Sequence, residues 1–202
     1  MRVKICGMTD ASEITTCVAA GADALGFIFD VGPRGLNVEK AAALTAVTPP
    51  FVTTVGVFVN PTPELVRSAI DSCRLDVLQF SGDEDPIFCG SFGKPTIVGA
   101  GRRMPSREDL AAARAVAVMA DSRTGEAYGG TGVPVPIETA RALRSAAGRC
   151  FVLAGGLKPE TVAAAIQAIR PDAVDVRSGV ERDGRKNDAL VRAFVLAARG
   201  AI

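Results

Sequence analysis

The sequence predicts an α/β fold in which eight strand–helix units close into a single (β/α)8 barrel, the TIM-barrel architecture. Short apolar runs rich in β-branched residues recur about every 20 to 30 residues, and alanine-rich helical patterns follow them. The length of 202 residues allows eight brief units and leaves no room for a second domain. We therefore expect one domain over residues 1–202.

Eight apolar runs have the length and composition of strands, and each ends in a Gly, Pro or polar cluster. They are VKIC (3–6), ALGFIF (24–29), VTTVGVF (52–58), DVLQF (76–80), PTIVG (95–99), AVAVMA (115–120), CFVLA (150–154) and AVDVR (173–177). Residues 83–94 carry the weakest helical pattern, which predicts a short or irregular fourth helix. A doubly wound open sheet is the alternative, but the first run lacks the G-x-G-x-x-G of a dinucleotide site.

Composition narrows the class of partner and of chemistry. The chain has 23 basic and 22 acidic residues, a net charge of +1, which disfavours nucleic acid or an anionic membrane and favours a small molecule. It contains no histidine, which excludes Ser-His-Asp triads, Cys-His pairs and His-ligated metals. The five cysteines form no C-x-x-C pair, so we expect them to be reduced thiols. No run reaches the roughly 18 apolar residues that a membrane span needs, so we expect a cytoplasmic protein.

Side-chain alternation predicts which strand residues face the barrel interior. Lys4 and Cys6 share one face of the first strand, and Asp175 and Arg177 share one face of the eighth. If the apolar faces meet the helices, these polar faces point inward, and the first and eighth strands are neighbours. Lys4 and Asp175 are then expected to form an interior ion pair. The alternative is that both strands are frayed and solvated.

In a barrel of this kind, chemistry lies at the carboxyl ends of the strands. Glycine-containing segments follow the seventh strand (AGG, 154–156) and the eighth (RSGVE, 177–181), where such barrels commonly bind phosphate through backbone N–H groups. The loop 125–134 has the composition of a segment that closes over a ligand. Each of these features also has a purely structural explanation. The glycines would then only form turns and the loop 125–134 would only be a surface loop, while Cys6 would only pack in the core and Asp121 would only form a turn.

Eight sequence blocks in order resemble the phosphoribosylanthranilate isomerase family of tryptophan biosynthesis. The blocks are KICGMT (4–9), GADALGFIF (21–29), PRGL (33–36), VGVFVN (55–60), DVLQFSGDE (76–84), DS with GGTG (121–122 and 129–132), LAGGLKPETV (153–162) and DVRSGVE (175–181). One such block is weak evidence, whereas eight in register are specific.

The resemblance implies a cofactor-free Amadori rearrangement of N-(5′-phosphoribosyl)anthranilate to 1-(o-carboxyphenylamino)-1-deoxyribulose 5-phosphate, with no metal. It implies that Cys6 is the general base and Asp121 the general acid, and that Arg34 holds the anthranilate carboxylate. A carboxyl can protonate the furanose oxygen and a base must remove the C2′ proton, so these residue types suit the reaction. The remaining expected substrate contacts are Gln79, Ser81, Gly129 and Gly130. The expected phosphate contacts are Gly155, Gly156, Ser178 and Gly179.

The chain departs from the family pattern at three positions near the ligand. Gly32 replaces a serine, Ser81 replaces a histidine, and Arg177 stands where a small polar residue is typical. The Arg177 guanidinium could bind the phosphate, reach a carboxylate, or only repack the barrel. The proposed acid and base are retained, which predicts the family reaction.

Two rival functions remain open from the sequence. The related sugar isomerisation of histidine biosynthesis uses the same fold, but it uses an aspartate at the end of the first strand, where this chain has Cys6. A non-catalytic phosphosugar-binding protein is the other possibility. The sequence does not distinguish a monomer from a homodimer.

Overall fold

The computed structural model describes residues 1–100, 105–121 and 135–201 and contains a closed parallel barrel. Eight strands pair in chain order, and the last closes on the first. They are β1 (Arg2–Cys6), β2 (Ala24–Ile28), β3 (Thr53–Phe58), β4 (Val77–Phe80), β5 (Thr96–Ala100), β6 (Ala115–Ala120), β7 (Cys150–Leu153) and β8 (Ala173–Val176). The predicted (β/α)8 barrel is confirmed, and each predicted strand end lies within one residue of the observed end.

Helices follow the strands and cover the outside of the barrel. They are α1 (Ala11–Ala19), α2 (Val38–Ala46), α3 (Pro63–Ser72), α4 (Pro86–Gly90), α5 (Arg107–Ala112), α6 (Ile137–Ala147), α7 (Val162–Ile169) and α8 (Asp188–Arg199). Local sequence sets several starts: Asp10 accepts hydrogen bonds from two backbone N–H groups of α1, and Pro63 occupies the first turn of α3 after the Thr62 cap. The predicted weak fourth helix has five residues.

The alternation of each strand separates two apolar layers. Val3 and Ile5 are fully buried in the layer between barrel and helices, whereas Cys6 belongs to the cluster inside the barrel. The interior ion pair is confirmed: Lys4 lies opposite Asp175 in the β1–β8 register, and Nζ is 2.8 Å from Oδ1. Both residues are less than a tenth exposed.

The chain adds an element after β8 that sequence analysis did not predict. A short 3-10 helix (Ser178–Val180) leads into an antiparallel hairpin of β9 (Glu181–Arg182) and β10 (Arg185–Lys186), and α8 follows. This hairpin packs against α1, where the Lys186 backbone N–H donates to the Glu13 carboxylate, and it contributes to the site described below. None of the described helices has the length and apolar character needed to cross a membrane. A single domain over 1–202 stays a prediction.

Candidate active site

A cavity of about 440 Å³ opens at the carboxyl ends of the strands. Eight predicted site residues line it: Cys6, Gln79, Ser81, Asp121, Gly155, Gly156, Ser178 and Gly179. Asp175 and Arg177 line it as well. The volume is in the range of small-molecule sites, and its polar groups converge from several strands. The fold therefore brings predicted site residues that are far apart in the sequence together around one cavity.

Three predicted residues are not among those that line the cavity in the part of the chain that the structure describes. Gly129 and Gly130, together with the whole loop 125–134, lie outside the described residues. Arg34 is buried beside the cavity and is absent from the residues that line it. Its contacts therefore decide what it can do.

Arg34 is held by groups from three other segments. Its Nε donates to the Gly7 carbonyl, Nη1 donates to the Gly184 carbonyl, and Nη2 donates to the Glu13 carboxylate and to Thr9 Oγ1. Burial alone would raise the pKa of Glu13, but the bonds from Arg34 and from backbone N–H groups hold that pKa below its ordinary value. Sequence analysis missed Glu13 because an acidic residue in a first helical turn normally needs no further explanation.

Cys6 ends β1 and lines the cavity, and the residue is 5 % exposed. Burial raises its pKa, and the negative charge of Asp175 adds to that effect, while the charges of Lys4 and Lys186 oppose it. The net pKa is above the ordinary value of a thiol. Nearby positive charge that favours ionisation is present, but desolvation outweighs it.

Lys4 is positioned to act on Cys6 and Asp175 together. Burial by itself would lower the pKa of Lys4, but Asp175 and Cys6 hold it above its ordinary value, so the ammonium stays charged. Gly26, the β2 residue opposite Cys6, makes room for both groups. A Cβ atom there would come within 2.7 Å of Cys6 Sγ and 3.2 Å of Lys4 Nζ. A glycine inside a predicted strand was the available signal for this close approach.

Asp121 directly follows β6 and is half-buried at the cavity. Strands β7 and β8 separate β6 from β1 around the closed barrel. Asp121 and Cys6 therefore reach one cavity from different sides of the barrel mouth. A ligand lying across the mouth can meet a carboxyl on one side and a thiol on the other.

The predicted phosphate segments form one glycine-rich wall. Gly155 and Gly156 have φ values of 85° and 61°, the left-handed region that favours glycine. Gly179 packs so closely on the preceding loop that an added Cβ would lie 1.9 Å from the Leu157 carbonyl oxygen. The turn after β7 and the 3-10 helix after β8 thus meet backbone to backbone, which is the arrangement that phosphate sites of such barrels use.

Gln79 presents an unsatisfied buried atom at the same cavity. Its Nε2 donates to Ser81 Oγ at 3.0 Å and lies 3.4 Å from Met119 Sδ. Its Oε1 is buried and has no hydrogen-bond partner among the described residues. A buried carbonyl oxygen without a donor is costly, so a ligand N–H or O–H in the cavity would stabilise this side chain.

The geometry agrees with the result of comparison with known proteins. A protein-family model described as N-(5′-phosphoribosyl)anthranilate (PRA) isomerase matches residues 3–197. The chain belongs to this PRA isomerase family. It is 41 % identical over 203 residues to N-(5′-phosphoribosyl)anthranilate isomerase of Geobacter sulfurreducens, covering 99 % of each chain. It is 44 % identical to that of Moorella thermoacetica, covering 100 % of this chain and 91 % of the relative.

Solved PRA isomerase structures show the same fold. The crystal structure of the Thermus thermophilus protein superposes with a TM-score of 0.86 at 34 % identity, covering 100 % of both chains. Another, with a TM-score of 0.82, 32 % identity and 99 % of both chains covered, is in complex with reduced 1-(o-carboxyphenylamino)-1-deoxyribulose 5-phosphate. The family membership predicted from eight sequence blocks is therefore confirmed.

Proposed function

We propose that this chain isomerises N-(5′-phosphoribosyl)anthranilate to 1-(o-carboxyphenylamino)-1-deoxyribulose 5-phosphate, using its own side chains and no cofactor, as a step of tryptophan biosynthesis. The observation that carries the proposal is one cavity lined by Cys6, by Asp121 and by the glycine-rich wall. Relatives covering nearly the whole chain carry the same enzyme name.

Asp121 is the proposed general acid. Its carboxyl proton passes to the furanose ring oxygen, the bond between that oxygen and C1′ breaks, and the nitrogen lone pair forms a Schiff base with C1′. A carboxyl has an unperturbed pKa of about 3.9, so it must be held protonated to act near neutral pH.

Cys6 is the proposed general base. Its thiolate takes the proton from C2′, the C–H electrons form the C1′–C2′ double bond, and the π electrons of the C1′=N double bond return to nitrogen, which stays bonded to C1′. The resulting enol tautomerises to the C2′ ketone, so the product has the atoms of the substrate. The positive charge of the Schiff base beside Cys6 would lower the pKa of the thiol in the complex, offsetting the effect of burial.

The remaining predicted residues supply the binding contacts. The substrate phosphate would lie on Gly155, Gly156, Ser178 and Gly179. The rest of the substrate would contact Gln79, Ser81, Gly129 and Gly130. Gln79 Oε1 would accept a hydrogen bond from a substrate N–H or O–H group. Arg34, which is buried beside the cavity, stays the residue expected to hold the anthranilate carboxylate.

The direct test is the loss of substrate fluorescence on adding purified protein, with Asp121→Asn as the control. Catalytic loss that depends on Asp121 supports the isomerase. A folded protein that binds a phosphosugar without turnover would instead favour a changed substrate or a non-catalytic binder. Adding Cys6→Ser tests the base, because a near-normal rate in that variant would remove Cys6 from the role.

Two further predictions concern the protein as a whole. We propose a cytoplasmic location, as expected for a small-molecule biosynthetic enzyme. Monomer and homodimer both stay open, and a Thermotoga maritima relative, 30 % identical with a TM-score of 0.79, is described as a monomer generated from a dimeric enzyme. Sedimentation of the purified chain distinguishes the two states.

A further inference from the structure

Four charged side chains form a closed network behind the cavity. Lys186 Nζ lies 2.7 Å from Glu181 Oε1, and Arg34 Nε lies 3.5 Å from the same oxygen. Arg34 pairs with Glu13, and the other Glu13 oxygen accepts a 3.0 Å bond from the backbone N–H of Lys186. Side-chain exposure ranges from 0 % at Lys186 to 14 % at Glu181. The catalytic proposal uses neither Lys186 nor Glu181.

The hairpin after β8 places Lys186 in this network. Glu181 and Lys186 are opposite each other in the antiparallel β9–β10 register. The turn residues Asp183 and Gly184 have φ values of 52° and 72°, the backbone conformation of a tight two-residue hairpin. An oppositely charged cross-strand pair with this turn is a locally stable way to direct the lysine inward.

A further contact of Lys186 links this charged network to the glycine-rich wall of the cavity. Nζ donates to the Arg177 carbonyl at 3.0 Å. Arg177 is the residue from which the 3-10 helix Ser178–Val180 begins, and that helix carries Ser178 and Gly179 at the cavity. A second bond, from Asn187 N–H to the Val180 carbonyl at 3.0 Å, holds the other end of the same helix. Both ends of this short helix are therefore fixed by the segment that includes Lys186.

We propose that Lys186 is a positioning residue of the isomerase site, one that holds the Arg177 carbonyl and thereby sets the Ser178–Gly179 backbone to receive the substrate phosphate. This inference rests on the proposed function and assigns no direct substrate contact to Lys186. A buried ammonium is costly without partners, and here the Glu181 carboxylate and the Arg177 carbonyl both accept hydrogen bonds from Nζ.

The ammonium has a second, electrostatic consequence. Cys6 is faced by Lys4 from its own strand, by Asp175 from β8 and by Lys186 from β10. Burial lowers the pKa of Lys186 while Glu181 opposes that effect, and the positive charge of Lys186 in turn favours the Cys6 thiolate. We expect kcat/KM to rise with pH as the Cys6 thiol ionises. Removing the Lys186 charge would move this rise to higher pH, whereas the loss of a lysine that only supports the fold would leave its position unchanged.

The experiment compares Lys186→Met with Lys94→Met. Lys94 Nζ also donates to a backbone carbonyl, that of Leu75 at 2.9 Å, but at the amino-terminal end of the barrel. We measure KM, kcat, the pH profile of kcat/KM, and the Kd of inorganic phosphate by calorimetry. For Lys186→Met we expect KM and the phosphate Kd to rise about tenfold, since small misplacements of a binding group are costly, with both unchanged in the control.

Further variants keep the test decisive if Lys186→Met does not fold. Lys186→Met with Glu181→Gln removes the uncompensated carboxylate, and Lys186→Arg retains a charged donor. We expect the double variant to bind phosphate weakly and Lys186→Arg to keep most of the affinity. Native phosphate affinity and pH profile in either Lys186→Met variant would overturn the inference. Because phosphate binding needs no turnover, a wild-type protein without isomerase activity would refute the proposed function while leaving this test intact.

Discussion

Gly26 on β2 and Cys6 on β1 occupy paired positions of neighbouring strands, and the Cys6 thiol takes up the space beside the glycine. The missing side chain leaves the space in which Sγ and Lys4 Nζ sit, because a Cβ atom would come within 2.7 Å of the sulfur. The position of the proposed base thus depends on a residue that carries no functional group. An interior packed at protein density offers the thiol no other place.

Gly26→Ala is therefore expected to displace Cys6 and lower kcat. Overpacking of this kind costs about 1–3 kcal/mol, so the variant should fold with a reduced midpoint of unfolding. Gly99→Ala on β5 is the matched control, because a Cβ there has its nearest neighbours at 3.4–3.5 Å, an ordinary contact. Steady-state kinetics and urea unfolding measure both effects. Equal kcat in the two variants would show that Gly26 does not position the thiol.

The pH dependence of kcat/KM follows from the burial of Cys6. Burial raises the pKa of this thiol, and the thiolate is the active form of the base. Below the pKa the thiolate fraction grows with pH, so kcat/KM of the free enzyme should rise through neutral and mildly alkaline pH. A profile that is flat from pH 6 to about pH 9 would be incompatible with a raised thiol pKa. Residual activity of Cys6→Ser should lack the rise.

The buried Glu13 carboxylate is expected to make the free energy of unfolding fall in acid. Its pKa is lowered in the folded protein, chiefly by the bond from Arg34 working against desolvation. A carboxyl with a lowered folded pKa contributes stability above its unfolded pKa, here 4.5, and loses that contribution as the pH falls toward the folded value. Glu13→Gln should flatten the free energy of unfolding below about pH 4.5 and reduce it at pH 7.

The control for this prediction is Glu138→Gln. Glu138 pairs with Arg141 on the surface, and its side chain is 85 % exposed. Exposed pairs contribute little, so its pH dependence of stability should match the wild type. Urea unfolding between pH 3 and pH 7 makes the comparison, and identical curves for the two variants would contradict a stabilising role for buried Glu13.

Arg177 lines the cavity beside the glycine-rich wall proposed to bind phosphate. Arg177→Ser, which restores the small polar residue typical of the family, is expected to raise the Ki of inorganic phosphate by about tenfold through loss of a charge-assisted contact. Arg182→Ser, at an exposed position of the following hairpin strand, is the control. A raised Ki for anthranilate with unchanged Ki for phosphate would instead assign the guanidinium to the carboxylate end.

Much of the site was predictable because, in a closed parallel barrel, the position of a residue along its strand determines at which end of the barrel it lies. The residue after each strand lies at one end of the barrel, so Cys6, Asp121 and Gly155 could be expected to meet without any knowledge of the loops. The Lys4–Asp175 pair was predictable for a similar reason, since alternation and the closure of β8 on β1 leave one arrangement for two inward polar side chains.

Arg34 shows what such reasoning does not reach. Its position after β2 follows from the sequence, but its side chain turns away from the cavity wall toward Glu13 and Gly184. Long side chains choose among many partners, and the choice depends on segments distant in sequence, here 150 residues from Arg34 to Gly184. Lys186 was missed for the same reason, because a lysine in a polar hairpin ordinarily points to solvent.

The sequence by itself determined the eightfold strand–helix order, the inward faces of the strands, and the types of group at the barrel mouth, because these depend on local periodicity and on the closure of parallel strands. Only the tertiary structure decided which buried charges pair, that burial opposes ionisation of Cys6, and that Lys186 donates to the Arg177 carbonyl. Those outcomes depend on distances between segments and on exclusion of water, which no single stretch of sequence encodes.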